Sequence, residues 1–206
     1  MKKICIFGSG GFAKEVFWLA NQCGKEVEAF IDVEYGGYCC DKKIESEEYF
    51  DPTKHYAVIA VGDSQLRKKI VSKIRDRHRT EDIFETLISP SANLMSKTIE
   101  IGYGSVVCAN CIITCDVKLG AWSQLNLATT IGHDTTTGQF FTTAPGVHIS
   151  GKVNAGECVY FGTNASSIES IDICNNVVIG AAACVAKDIV DPGIYVGIPA
   201  KKLIRK

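Results

Sequence analysis

The chain has 206 residues, 46% of them apolar and 22% charged, with a formal net charge of −1. That is enough for one large or two small globular domains, and the near-neutral balance carries no footprint for nucleic acid or an anionic membrane surface. No apolar window reaches the roughly 20 residues of a membrane span.

Met1-Lys2-Lys3 before ICIFG mimics a signal peptide only faintly, because Lys14 and Glu15 interrupt the apolar run. The mature chain is therefore expected to start at Met1 and to be cytoplasmic. Ten cysteines without a secretory signal are expected to behave as small buried hydrophobes in a reducing compartment. Cys108, Cys111 and Cys115 cluster, but no second Cys/His pair follows at zinc-finger spacing, and no metal is expected.

In chain order, residues 4–7 read as a buried strand. Gly8, Gly10 and Ala13 follow on the spacing G-x-G-x-x-G/A and lead into a helix over 12–22. Such glycines let backbone amides approach a ligand closely, and the helix N-terminus favours an anion. A second strand over 27–31 ends at Asp32, roughly 20 residues past the turn, where a dinucleotide fold places an acidic residue. A loop, a strand over 56–61, Gly62 and a helix through SQLRKKIVSKIRDR complete a Rossmann-like α/β half-unit, assigned to residues 1–85. A full dinucleotide fold needs a second βαβ half. After Thr80 the chain changes period instead.

From Ile101 to Val190 the sequence divides into fifteen hexads without an insertion. The first position is mostly aliphatic, the second mostly small, and the fifth small or β-branched, which is the signature of a hexapeptide parallel β-helix. Three hexads make one triangular coil, so five coils at about 4.8 Å give a prism roughly 24 Å tall. Residues 95–100 are expected to add an irregular starting coil, and the second domain runs over 86–206 with a C-terminal tail. A β-sandwich would show turn clusters every 8–12 residues instead.

A glycine-rich α/β unit, hexads carrying IGHD, then APG and a terminal YVGIPAKKL together resemble bacterial hexapeptide-repeat sugar acetyltransferases of the sialic acid O-acetyltransferase (NeuD) type. The order of parts is most similar to enzymes that N-acetylate nucleotide-linked 4-amino-4,6-dideoxy sugars, as in the bacillosamine and perosamine pathways. The resemblance covers essentially the whole chain and is strongest at His133-Asp134 and at Gly197-Ile198-Pro199-Ala200-Lys201. It implies a left-handed β-helix, a homotrimer, acetyl-CoA as donor, and a nucleotide-linked amino sugar held by an N-terminal unit with no NAD role.

Within that resemblance His133 is the general base, and Asp134 orients its imidazole and supports its charged form. His133 is the third residue of its hexad and should project outward, but neighbours on a strand face opposite ways. The pair therefore requires a corner or a distorted backbone. Gly151 lies 18 residues later, one coil on, and its amide is the implied donor to the thioester oxygen. The implied coenzyme contacts are Thr142, Gly151, Thr163, Ala181, Pro199, Ala200 and Lys201. Those to the sugar nucleotide are Gly10, Gly11, Asp32 and Gly62, with Asn126 toward the sugar.

Thr163 and Ala181 are 18 apart but off the His133 stack, so a site assembled from two neighbouring prisms is expected. Three positions depart from the bacillosamine-type pattern: Phe12 and Thr142 stand for histidines, and Val33 for the second of two acidic residues. The expected reaction is direct attack by the sugar amine in a ternary complex. The alternatives are an O-acetyltransferase of sialic acid or another glycan sugar, and a non-catalytic nucleotide-sugar-binding scaffold.

Overall fold

The structure, a computed structural model, describes residues 2–204. Met1, the expected start of the mature chain, and residues 205–206, the end of the expected second domain, lie outside the described residues. Two compact units divide the chain, Met1–Pro90 and Ser91–Lys206. The division falls at 90/91, beside the 85/86 boundary expected from the sequence, and residues 83–85 extend the sheet of the first unit: Ala57 N donates to Ile83 O at 2.7 Å and Glu85 N to Ala57 O at 3.0 Å. Among the described residues no helix is long and apolar enough to cross a membrane.

The first unit contains β1 (Lys3–Phe7), α1 (Gly11–Gln22), β2 (Val27–Ile31), β3 (Tyr38–Cys39), β4 (Lys42–Glu45), β5 (His55–Ile59) and α2 (Ser64–His78). Its sheet order is β3-β4-β2-β1-β5, with β1 parallel to both β2 and β5. The chain builds outward from β1 on one side and returns with β5 on the other. That reversal opens a crevice at the C-terminal ends of β1 and β5. The helix α1 buries Ala13, Val16, Phe17, Leu19 and Ala20, an apolar stripe at helical spacing. Asp63 caps α2 by accepting from Leu66 N at 2.8 Å.

Residues 32–55, read as a loop, contain the antiparallel hairpin β3–β4, and β4 adds to the sheet beside β2. The hairpin turns on Cys40 and Asp41 at φ 48° and 61°. Two successive positive-φ residues make an I′-type turn, which sequence reading recognises by an Asn-Gly or Asp-Gly pair that is absent here. The strand expected over 56–61 ends at Ile59, and Val61 and Gly62 instead lead into the α2 cap.

The second unit is a left-handed parallel β-helix of short strands six residues apart. One face stacks Asn93–Leu94, Ile112–Ile113, Thr130–Ile131, His148–Ile149, Ser166–Ser167 and Cys184–Val185. A second stacks Glu100–Ile101, Lys118–Leu119, Thr136–Thr137, Asn154–Ala155 and Asp172–Ile173. The third rises from Val106–Val107 through Gln124–Leu125, Thr142–Thr143, Tyr160–Phe161 and Val177–Ile179 to Gly193–Val196, against which Lys201–Lys202 runs antiparallel. Hexad positions one and five point inward: Ile113, Leu125, Ile131 and Phe161 from the first set, and Val117, Val147 and Val159 from the second, are fully buried. Each contributes about 1.5–3 kcal/mol of hydrophobic stabilisation.

Position four turns every corner. From Gly104 to Ala182 each such residue lies at φ between 54° and 70°, and only Gly104 and Gly146 are glycines. The strand Asn93–Leu94 lies seven residues before Glu100–Ile101 rather than six, so the spacing is irregular across residues 95–100. The last coil departs from the fifteen-hexad reading. Ile173 pairs with Ile189 and Val177 with Gly193, 16 residues on rather than 18, and the Asp188 carboxylate accepts from Asp172 N at 2.9 Å in the shortened loop.

Candidate active site

His133 and Asp134 occupy the corner between Thr130–Ile131 and Thr136–Thr137. Asp134 is the left-handed corner residue, φ 57°, and this turn brings two sequence neighbours to one side. His133 Nδ1 and Asp134 Oδ2 are 2.7 Å apart, with about half of each side chain exposed. The backbone is held from both sides: Asp134 N donates to Cys115 O at 3.1 Å, and His133 O accepts from Lys152 N at 2.7 Å. A β-carbon on Gly132 would lie 2.5 Å from Gly151 N, so only glycine lets these two coils approach so closely.

Gly151 stands one coil on from His133, in the register set by Thr130 against His148. The imidazole lies across it: a β-carbon at Gly151 would come within 2.7 Å of Nε2 and 2.8 Å of Cε1. With Nδ1 engaged by the carboxylate, Nε2 is the nitrogen left to exchange a proton with a ligand. Gly151 O accepts from Ser170 N, whereas no acceptor among the described residues takes the Gly151 N–H. One corner thus brings together an imidazole, a carboxylate bonded to its Nδ1 and an open backbone N–H.

Thr163 and Ala181 stack on a different edge, between the third and first faces, joined by Ala182 N donating to Thr163 O at 2.8 Å. The tail continues that edge. Cys184 N donates to Gly197 O, and Ala200 N to Cys184 O at 2.7 Å, which sets exposed Pro199 and Lys201 and half-buried Ala200 one coil beyond Ala181. Asn126 lies on the same edge two coils earlier, and its Oδ1 accepts from Leu127 N at 2.7 Å. Within one chain the first face separates this edge from the His133 corner. Thr142 joins neither group: it is buried on the third face, and its hydroxyl donates to Phe140 O at 3.3 Å.

In the first unit Gly10 is the N-cap of α1 and Gly11 its first residue, and a β-carbon on Gly10, Gly11 or Gly62 would meet nothing within 4 Å. Gly8 is different: at φ 106° and with Ala60 O only 3.0 Å from a β-carbon, the strand-to-helix turn itself requires glycine. Asp32 follows β2, its Oδ2 accepting from Ser9 Oγ at 2.7 Å and its Oδ1 from Val33 N at 2.7 Å. Gly62 precedes α2, where buried Arg67 donates to Val61 O at 2.7 Å and to Gly62 O at 3.3 Å.

Sequence reading missed Ser9 and Arg67. Ser9 was within reach, because it sits between the motif glycines. Arg67 had no signal, being one more basic residue in a basic helix. Of the cysteine group, Cys108 and Cys111 are buried, and burial pushes the Cys111 thiol up to about 11, so it is no thiolate at neutral pH.

The PglD N-terminal domain family matches residues 3–74. The chain is 26% identical over 174 residues to the GDP-perosamine N-acetyltransferase of Escherichia coli O157:H7, covering 78% of this chain and 75% of that protein. Among solved structures, the acetyltransferase domain of PglB from Neisseria gonorrhoeae FA1090 superposes with a TM-score of 0.91 at 30% identity, covering 98% of this chain and all of that one. That domain has also been solved in complex with acetyl coenzyme A. PerB from Caulobacter crescentus, in complex with CoA and GDP-perosamine, superposes with a TM-score of 0.89 at 27% identity over 98% of this chain and 97% of that one.

Proposed function

The chain belongs to the family of the PglB acetyltransferase domain and perosamine N-acetyltransferase, and from that premise we propose that it transfers the acetyl group of acetyl-CoA to the amino group of a nucleotide-linked amino-dideoxy sugar. The observation that supports this reading most directly is the His133 corner, with Nδ1 on Asp134 and the ring seated on Gly151. Acyl transfer to an amine needs a base, an oxyanion donor and two substrates in contact.

His133 Nε2 takes the proton from the amine as its nitrogen bonds to the thioester carbonyl carbon. The Gly151 N–H donates to the carbonyl oxygen as negative charge develops there. Asp134 stabilises the imidazolium, which returns the proton to the sulfur as the carbon–sulfur bond breaks. No acyl-enzyme forms.

In this reading Thr163, Ala181, Pro199, Ala200 and Lys201 line the path of the coenzyme, so each complete site joins the His133 corner of one copy to the other edge of a second. A homotrimer satisfies that requirement. Gly10, Gly11, Asp32 and Gly62 surround the switch-point crevice of the first unit and hold the nucleotide, its phosphates at the α1 N-terminus.

The test is acetyl-CoA-dependent thiol release with UDP-, GDP- and dTDP-linked 4-amino sugars and their 4-hydroxy counterparts, followed from pH 6 to 9. An amine substrate must first lose a proton, so kcat/KM should climb past neutrality, and the matched hydroxyl should react at least about a hundredfold more slowly. Equal rates for the pair would assign the protein to O-acetylation. Release that His133→Ala leaves untouched would remove the corner from the mechanism.

A further inference from the structure

Beyond Asp32 the chain crosses from β2 to the edge of the sheet through Val33, Glu34 and Tyr35. Three hydrogen bonds fix the ends of this crossing: Asp32 N to Glu45 O at 3.1 Å, Gly36 N to Ile44 O at 2.9 Å and Ile44 N to Gly37 O at 2.9 Å. Because β4 is parallel to β2, with Glu45 level with Ile31, the crossing lies at the C-terminal ends of both strands. That is the end of the sheet where Gly10, Asp32 and Gly62 stand.

Along it Val33 is 91% and Tyr35 65% exposed. A lone apolar residue on a surface is ordinary. An exposed valine and an exposed tyrosine on a three-residue span, tied at both ends and adjoining a carboxylate already oriented by Ser9, form a preorganised apolar lip. The polar readers near a base would be Asp32, held by two donors, and Glu34. The residue after Asp32, which could have carried a second carboxylate, is Val33.

We propose that Tyr35, flanked by Val33, is the platform for the nucleobase of the bound nucleoside diphosphate sugar, so that the site takes the base by its face and discriminates weakly between bases. This rests on the reading of the first unit as the nucleotide site. Stacking tolerates any base because every base has a π-face, whereas buried hydrogen-bond readout rejects a wrong partner by orders of magnitude.

Calorimetric titration of the full chain with UDP, GDP and dTDP tests this, using Tyr35→Ala, Tyr35→Phe, Glu34→Gln and, as a surface-aromatic control, Trp18→Ala. The wild type should bind all three with Kd values within about tenfold of one another, and Tyr35→Ala should weaken each by about tenfold or more. Tyr35→Phe should stay within about twofold of wild type, since it keeps the ring. Trp18→Ala, remote on α1, should match wild type, and a thermal midpoint for Tyr35→Ala equal to wild type separates lost binding from lost fold.

Binding of all three that Tyr35→Ala leaves unchanged would overturn the platform and leave the nucleotide reading standing. A preference for one base above about a hundredfold, abolished by Glu34→Gln, would overturn reading by the face. Failure of all three nucleotides to bind, together with no transfer to any nucleotide-linked sugar, would remove the nucleotide reading itself.

Discussion

In the proposed mechanism His133 depends on two neighbours with different tasks, one chemical and one steric. Replacing it with alanine should lower turnover by about 10² to 10⁴, the usual worth of a general base, with the thermal midpoint little changed because the side chain is half exposed. Asp134→Asn should cost less, since the hydrogen-bonding side chain stays and only its charge is lost; a greater loss than for His133→Ala would reverse the two roles. Gly151→Ala separates position from identity. The new methyl would sit 2.7 Å from Nε2 and must push the ring aside, so kcat should fall by about a hundredfold, the scale of a small misplacement. Stability should hold, because the displaced group is the end of an exposed side chain. Steady-state kinetics beside a melting curve reads both quantities.

Single elements also carry a pH response, and the start of β5 is the clearest case. His55 is buried, stacks on Tyr49 with 5.6 Å between ring centres, and accepts from Asp51 N at 3.1 Å through Nδ1. Burial holds its pKa below the usual range, with Lys54 and Lys3 adding to the effect and Glu28 and Asp51 opposing it. His78, at the end of α2, is lowered chiefly by burial as well. A depressed histidine favours folding while neutral, so this stability is complete above the unfolded value of about 6.5 and is lost as pH falls through the folded value. The thermal midpoint should therefore drop between about pH 7 and pH 5, and His55→Gln should flatten that slope. An identical slope in the variant would assign the response to other groups. The hexads made the β-helix legible because a six-residue period fixes which residues face inward, and the same arithmetic put Gly151 beside His133. The β3–β4 hairpin stayed hidden behind a Cys-Asp turn, and the shortened last coil behind an apolar Ile189 that fits the six-residue pattern at the wrong height. The meeting of His133 with Asp134 depends on a positive φ at an aspartate; the hexad puts Asp134 at position four, but the residues at that position are too mixed in type for the sequence to mark it as the corner.

At the scale of the whole protein, two edges of one β-helix carry residues assigned to one reaction, and a face separates them within each chain. If neighbouring copies complete the site, His133→Ala and Ala181→Trp should each be inactive alone. Refolded together, they should recover up to about one quarter of wild-type activity, the fraction of intact pairings in a randomly mixed ring. No recovery would mean that each chain works by itself. The stacking has a last consequence, for how the molecule opens. Every coil bonds only to the coils before and after it, so the β-helix is a one-dimensional array in which disorder enters from the ends and advances coil by coil. The His133 corner lies in the middle of that array, with coils on both sides. Its backbone amides, at Asp134 and Lys152, should exchange with deuterated solvent only in rare, nearly complete openings, whereas that of Ala200 in the terminal tail should exchange early. The corner proposed for catalysis thus inherits persistence from its address in the stack, independent of how firmly its own side chains are held.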